Sequence, residues 1–332
     1  MSLLFSTLTR ASPALYVFTS HTFTNANATG RNGPSLSQIQ TAYSSQSWAS
    51  NTAFLNMTTQ GIQLWTVPKS GSYTIEARGG RGGTNTYGPM VSSGTQGGLG
   101  AIMRVTMALA AGQVLQIIVG QQALQGSSGS GGGGGSWIVN NSDGTLLLVA
   151  GGGGGAGHDT GWGAGGSATN APNNSAGGHG AAPATLSNGN GGNGGPPGSD
   201  GFNYGGTGAG GAGWLSAGQN SGSGSAKGGT RYIGGTGSGG TGGGFGGGGG
   251  EGGSGYAGGG GGGYSGGGGG ADYVTGTETY GPVPANTACW GGGGGGGSYY
   301  IPSATLISAT AGTIGSSAGT ADSNGYVTIT AA

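Results

Sequence analysis

This sequence has little charge, almost no cysteine and no long apolar run. Charged residues make up 5% of the 332 positions, and the formal net charge is zero. Lysine and arginine do not cluster, which argues against a surface that follows nucleic-acid phosphates. The longest apolar stretches, such as residues 114–119 and 146–150, are far too short to span a bilayer. We therefore expect neither a nucleic-acid partner nor membrane insertion.

The single cysteine, Cys289, excludes an internal disulfide framework. The first ten residues, MSLLFSTLTR, carry no basic residue before their apolar part, so they do not resemble a secretory signal. A surface rich in Ser, Thr, Asn and Gly nevertheless suits a chain that works outside a cell. A virion component, made in a host cytoplasm and released by lysis, reconciles these features. Export by a route that needs no signal is the alternative.

The sequence also lacks the residue patterns on which catalysis and cofactor binding depend. His21, His158 and His179 have no metal-ligand spacing. The eight carboxylates are scattered, with no evident pair for acid–base chemistry. Matches to GxGxxG carry no information in a chain with 94 glycines, and no Gly-Lys-Ser/Thr follows a phosphate-type loop. We therefore expect no enzyme activity, no cofactor and no metal.

Glycine is what the chain has in excess, and most of it lies between residues 126 and 297. The strict Gly-X-Y period of collagen is missing, and only 11 prolines are present. A disordered linker is the alternative, but large aromatic residues punctuate the glycine runs. Unbroken glycine stretches include residues 131–135, 151–155, 246–250, 259–263, 266–270 and 291–297.

Glycine runs can form extended left-handed helices of the polyproline II type, with three residues per turn and no internal hydrogen bonds. Without Cβ atoms, neighbouring helices can come close enough to bond to one another through their backbones. Ordering such a backbone costs on the order of 1–2 kcal/mol per residue, so many runs must bundle together. We predict a bundle of polyglycine II helices over residues 126–300, with aromatic residues capping its edges. Its structural glycines include Gly131, Gly133, Gly151, Gly153, Gly247, Gly260, Gly267 and Gly293.

The rest of the chain predicts an all-β fold, an antiparallel β-sandwich formed by residues 21–125 and completed by residues 301–332. Short segments with apolar alternation or β-forming composition are separated by turn residues, which is typical of a sandwich. Ser35 is expected to cap one short helix over residues 35–43, with a structured loop as the alternative. The predicted strands are residues 61–67, 72–78, 101–109, 113–119, 136–140, 145–150 and 325–330.

Two segments are candidates for contacts with other molecules. Residues 1–20 are predicted to be an N-terminal assembly arm, with an extended stretch over residues 14–24. In the glycine-rich region, Trp162, Tyr204, Trp214 and Tyr232 are candidate surface contacts that could stack on sugars. Packing at the edge of the bundle is the simpler interpretation of these four aromatic residues.

Several motifs resemble the extracellular glycine-rich region of the anaplastic lymphoma kinase and leukocyte tyrosine kinase receptors. They are GIQLWTVP at 61–68 with GSYTI at 71–75, IIVGQQ at 117–122, residues 147–155, and TGRNGP at 29–34 running on to Ala42 and Tyr43. The similarity covers most of the chain in the same order. It implies a TNF-like β-sandwich joined to a bundle of polyglycine II helices. Ala26 and Ile39 stand where the receptors have cysteines, and the chain has no kinase or membrane span.

The chain is also similar to glycine-rich structural proteins and adhesins of tailed bacteriophages, and this similarity fits the lack of a secretory signal. We expect a non-enzymatic virion structural protein, either a fibre, a decoration protein or a receptor-binding component. Its partners would be further copies of itself, other particle proteins and a host surface glycan or protein. The alternative is a subunit of an extracellular filament or cell-surface adhesin that assembles by exchange of its N-terminal strand.

Overall fold

The computed structural model describes residues 13–85, 97–126, 129–158, 193–196, 206–221, 226–237, 240–252, 257–274, 288–310 and 324–332. The regular elements among them are β-strands and one short helix. In this part of the chain, no helix could span a membrane. In chain order the elements are β1 Ser20–Phe23, α1 Leu36–Ala42, β2 Leu55–Asn56, β3 Ile62–Thr66, β4 Gly71–Arg78, β5 Ile102–Leu109, β6 Val114–Ile118, β7 Ser136–Asn140, β8 Leu146–Ala150, β9 Asp272–Val274, β10 Ala288–Trp290, β11 Tyr299–Tyr300, β12 Thr305–Thr310 and β13 Tyr326–Ala331.

Two antiparallel sheets form a β-sandwich, so the predicted all-β fold class is confirmed. Sheet one has five strands in the order β1-β13-β4-β5-β12, and sheet two has six in the order β11-β8-β7-β6-β3-β2. Strands β9 and β10 pair separately. Strands β3 to β8 and β13 had been predicted from the sequence, with bounds that agree or differ by one residue. The short strands β2 and β11 and the edge strand β12 carry too few core residues to show such a pattern.

The core of the sandwich lies between the two sheets. In β4 the side chains of Tyr73, Ile75 and Ala77 are buried, and the intervening residues are half-buried. Strand β5 buries Met103 and Val105 in the same alternating way. Period-2 alternation places these apolar side chains on one face of the sheet. Burial of each large apolar side chain stabilises the fold by about 1.5–3 kcal/mol.

The helix α1 begins at a capping box. The Gln38 backbone N–H donates to Ser35 Oγ at 3.3 Å, and Gln38 Oε1 accepts from the Ser35 backbone N–H at 2.8 Å. Both groups would otherwise lack a partner inside the helix. Ile39 is buried, and the buried hydroxyl of Tyr43 donates to Gln63 Oε1 at 2.9 Å. The predicted helix and its cap are thus confirmed.

At one end of the sandwich, the strands continue directly into glycine segments. Strand β4 runs into residues 79–83 and β8 into residues 151–155, while residues 131–135 lead into β7. We call the glycine-rich segments bonded to one another at this end, with their turns, the glycine block: residues 79–83, 97–100, 131–135, 151–155, 206–219, 226–236, 243–250, 257–271 and 291–297. The block therefore begins before residue 126, and β7 and β8 extend the sandwich into the range predicted for the bundle.

Hydrogen bonds inside the glycine block recur every third residue along a segment. In residues 291–297, the N–H groups of Gly291, Gly294 and Gly297 donate to carbonyls of residues 271, 268 and 265 at 2.7–2.8 Å. The N–H groups of Gly293 and Gly296 donate instead to residues 155 and 152, both at 2.8 Å. One segment therefore bonds to two different neighbours with two sets of residues. This period of three differs from the period of two that a β-strand shows.

The second half of the predicted N-terminal arm belongs to the sandwich of its own chain. Strand β1 pairs with β13, and the Leu15 N–H donates to the Pro68 carbonyl at 2.8 Å. The side chains of Tyr16 and Phe18 pack against the core. Residues 1–12 lie outside the described residues. Exchange of the arm between copies therefore stays a prediction.

Candidate functional site

All eight glycines that we predicted to be structural are buried in the glycine block. A Cβ atom at any of these eight positions would lie 1.8–2.8 Å from an atom of a neighbouring segment. At Gly153 the neighbour is the Gly98 carbonyl oxygen, at 1.8 Å. At Gly247, where φ is +94°, it is the Cβ atom of Ala212, at 2.8 Å. Such distances are well inside normal van der Waals contact, so any larger residue would force the segments apart.

The most distinctive group of side chains is an aromatic cap, which covers the outer face of sheet two. We define it as Trp137 of β7, Tyr299 of β11, and four residues from turns of the glycine block: Trp214, Tyr232, Phe245 and Tyr264. Trp137 and Phe245 are buried, and the other four are partly buried. They pack with Ile118 and Val149 of the sheet. Each turn thus places one ring over strands whose other face already lines the core.

Two tight turns bring the rings of Trp214 and Tyr232 to the ring of Trp137. The Gly213 N–H donates to the Ser216 carbonyl at 2.9 Å, and the Thr230 N–H donates to the Ile233 carbonyl at 2.9 Å. The Trp214 ring centroid lies 6.1 Å from that of Trp137 in a tilted arrangement. The Tyr232 centroid lies 6.0 Å from that of Trp137, edge to face. Such pairs add about 0.5–1.5 kcal/mol each beyond area burial.

Phe245 joins the aromatic cap to the loops of the sandwich. Its N–H donates to the Gly30 carbonyl at 2.9 Å, and its carbonyl accepts from the Gln121 N–H at 2.8 Å. Its ring lies so close to Gly61, where φ is +85°, that a Cβ there would sit 2.2 Å from Phe245 Cζ. Glycine at position 61 is therefore required both by the backbone angle and by the ring.

Arg231 is the charged member of this region. Its guanidinium carbon lies 4.2 Å from the centroid of Trp214, a cation–π geometry worth about 0.5–1 kcal/mol at an exposed site. Burial raises the pKa of the neighbouring Tyr232 phenol, and the charge of Arg231 opposes part of this shift. The contact joins the turn at 213–216 to the turn at 230–233. It also covers ring surface of Trp214 that a ligand would otherwise meet.

Two of the four predicted surface contacts, Trp214 and Tyr232, therefore lie together, and Trp162 and Tyr204 lie outside the described residues. Sugar stacking needs an aromatic face open to solvent. Arg231 and Trp137 both pack on Trp214, so this arrangement favours packing at the edge of the block. The sequence did not predict the role of Arg231. The sequence feature that could have pointed to this contact is the pair of segments TRYI at 230–233 and GWLS at 213–216. In each of them, an aromatic residue next to an aliphatic one interrupts the glycine-rich sequence.

Two buried charged side chains bond to backbone groups. Arg81 Nε donates to the Gly97 carbonyl at 3.2 Å, and Glu251 Oε1 accepts from the Thr241 N–H at 3.2 Å. Burial lowers the pKa of the Arg81 guanidinium, and the nearby charge of Arg78 adds to the shift. Among the described residues, no group of three or more His, Cys, Asp or Glu side chains could hold a metal ion.

No family model matches the sequence. The fold and the contacts within the glycine block are therefore the basis on which a function can be argued.

Proposed function

We propose that this chain is a non-enzymatic structural protein of a virus particle: a fibre, a decoration protein or a receptor-binding component. In this proposal the sandwich is TNF-like, and the glycine segments are polyglycine II helices that form a rigid bundle. The sandwich joins the chain to the particle, and the bundle projects from the particle surface. The proposed partners are further copies of the chain, other particle proteins and a molecule of the host surface.

The observation that carries the proposal is the three-residue repeat of hydrogen bonds between glycine segments. A polyglycine II helix has three residues per turn, so its N–H groups face neighbours in three directions. A block bonded in several directions resists bending more than a single strand pair does. Because the segments continue the strands of both sheets, the block is held at many points. Such an element suits a rigid spacer, and it offers no side chains for catalysis.

The test is the location of the protein in the source that encodes it. Virus particles are purified on a density gradient and analysed by mass spectrometry, with particle-free supernatant as the control. We expect the chain to band with the particles and to be removed from intact particles by surface proteolysis. Its absence from every particle preparation, with the protein present in the supernatant, would refute the proposal.

A second candidate is a subunit of an extracellular filament or cell-surface adhesin. The observation that favours it is an apolar surface at the end of the sandwich remote from the glycine block, where Leu15 and Val17 are exposed. Immunogold electron microscopy separates the two candidates. Label on virus particles supports the first proposal, and label on filaments that extend from cells supports the second.

A further inference from the structure

The segment that precedes β1 presents apolar side chains on both of its faces. Tyr16 and Phe18 point into the core, where the Phe18 centroid lies 5.0 Å from that of Trp65. Leu15 and Val17 alternate with them and are exposed, at 48% and 87% of their surface. The segment therefore presents one apolar side to the core and a second one outward. Within one copy, the outer face of this segment has no cover among the described residues.

An apolar groove of about 310 Å³ lies directly beside these exposed side chains. Its walls come from the segment itself, from the start of β4 and from the end of β13. These are the strand ends remote from the glycine block. Lys69 is the one charged side chain on the wall. The lining residues are Ala14, Tyr16, Val17, Phe18, Pro68, Lys69, Ser70, Gly71, Ser72, Tyr73, Ala331 and Ala332.

The chain before Pro13 joins the fold at this same place. Ala14 is part of the groove wall, so residues 1–12 are tethered beside it. That stretch contains Leu3, Leu4, Phe5 and Leu8 and a single charged residue, Arg10. At roughly 3.3–3.6 Å per residue, a segment of 12 residues reaches at most about 43 Å from its attachment point. By sequence, the chain that precedes this apolar surface is itself largely uncharged.

We propose that this end of the sandwich, which we call the base, is the surface through which a second copy of the chain binds. The proposal rests on the function proposed above, in which copies of the chain assemble. Exposed knobs at Leu15 and Val17 lie next to a groove that can receive such side chains. A surface that carries both parts is complementary to itself and can pair about a two-fold axis. The formal net charge of zero leaves no long-range repulsion between copies.

The test is the association of the full chain, measured by sedimentation velocity over a concentration series. Val17→Lys places a charge at the most exposed knob. Gly71→Leu adds bulk at the groove wall, at a position where a Cβ meets no atom within 4 Å. The matched controls are Leu215→Lys, at an apolar residue of the glycine block that is 63% exposed, and Ser142→Leu, in the exposed turn between β7 and β8. Circular dichroism melts establish that each variant folds.

We expect the unaltered chain and both controls to associate alike, and both base variants to associate at least about tenfold more weakly with unchanged melts. A monomeric unaltered chain would overturn the proposal. So would association of Val17→Lys at the original strength, or a loss confined to Leu215→Lys. If deleting residues 1–12 abolishes association while both base variants retain it, the arm alone makes the contact and the proposal is wrong. None of these outcomes depends on whether the protein is found in virus particles.

Discussion

His21 shows how an aromatic environment controls a single titratable residue. Its ring lies edge-on to those of Phe23, Tyr43 and Trp48, with centroids 4.4–5.0 Å away. Burial among these rings disfavours the charged imidazolium and lowers the pKa of His21 to about 4, from an ordinary value of 6.5. The folded chain therefore binds this proton less readily than the unfolded chain does.

The consequence is a loss of stability in acid that can be assigned to one residue. The native state keeps His21 neutral, so its contribution is fully present above pH 6.5 and is lost as the pH falls towards about 4. His21→Phe keeps an aromatic ring and removes the titration. We expect the melting temperature of the unaltered chain to fall more steeply between pH 6.5 and 5 than that of the variant. Parallel curves over this range would contradict the prediction.

At the scale of the element, the glycine segments depend on close approach between backbones. Neighbouring segments bond through N–H and carbonyl groups, and a Cβ at Gly153 would lie 1.8 Å from the Gly98 carbonyl oxygen. A single methyl group therefore has to displace a whole segment. The aromatic cap belongs to the same element, because turns of the block carry four of its six rings.

Gly153→Ala is expected to destabilise the chain by about 1–3 kcal/mol, since overpacking in a filled interior has costs of this size. Gly71→Ala is the matched control, because it is the same substitution in a strand where a Cβ meets open space. There we expect no loss, and a gain of up to about 1 kcal/mol, since alanine restricts the unfolded chain. Chemical denaturation gives both values. Equal effects at the two positions would argue against close approach as the reason for glycine.

At the scale of the whole molecule, the sandwich and the glycine block form one hydrogen-bonded unit. Gly79 of the block donates to the Ala101 carbonyl at 3.0 Å, and Ala101 donates to the Gly151 carbonyl at 2.9 Å. These bonds cross from strand ends into the block without a linker. A polar network of this kind is stable when most of its groups are paired.

Amide hydrogen exchange tests whether the glycine block is as well ordered as the sandwich. We expect the N–H groups of Gly291, Gly293, Gly294, Gly296 and Gly297 to be protected to a degree comparable with strand β4, because each of them is hydrogen-bonded and lies in a buried segment. The exposed turn around Ser142 serves as the fast-exchanging reference. If residues 291–297 exchange as fast as that turn in the native protein, the block is not rigid and the proposed spacer function fails with it.

Much of the fold could be predicted from the pattern of side chains. The arrangement of the glycine segments could not, because glycine has no side chain to form such a pattern. Alternation predicted β4, β5 and β13, and Ser35 predicted the start of α1, whereas the part that Gln38 plays in the capping box was seen only in the structure. The candidate site was only partly predictable. Trp214 and Tyr232 stand out against glycine, but their meeting at Trp137 depends on which turns of the block lie side by side. The same holds for Arg231, which touches Trp214 across 17 positions of sequence.

The sequence by itself determined that strands with one apolar face form a sandwich. It also determined that glycine runs can form backbone hydrogen bonds only with neighbouring segments. Apolar burial and the lack of Cβ atoms are properties of the residues, so both conclusions follow without coordinates. Only the tertiary structure decided which glycine segments are neighbours and that the block begins at the ends of the strands. A run of identical residues has no side chains to encode register or partner, so packing against the sheets makes that choice.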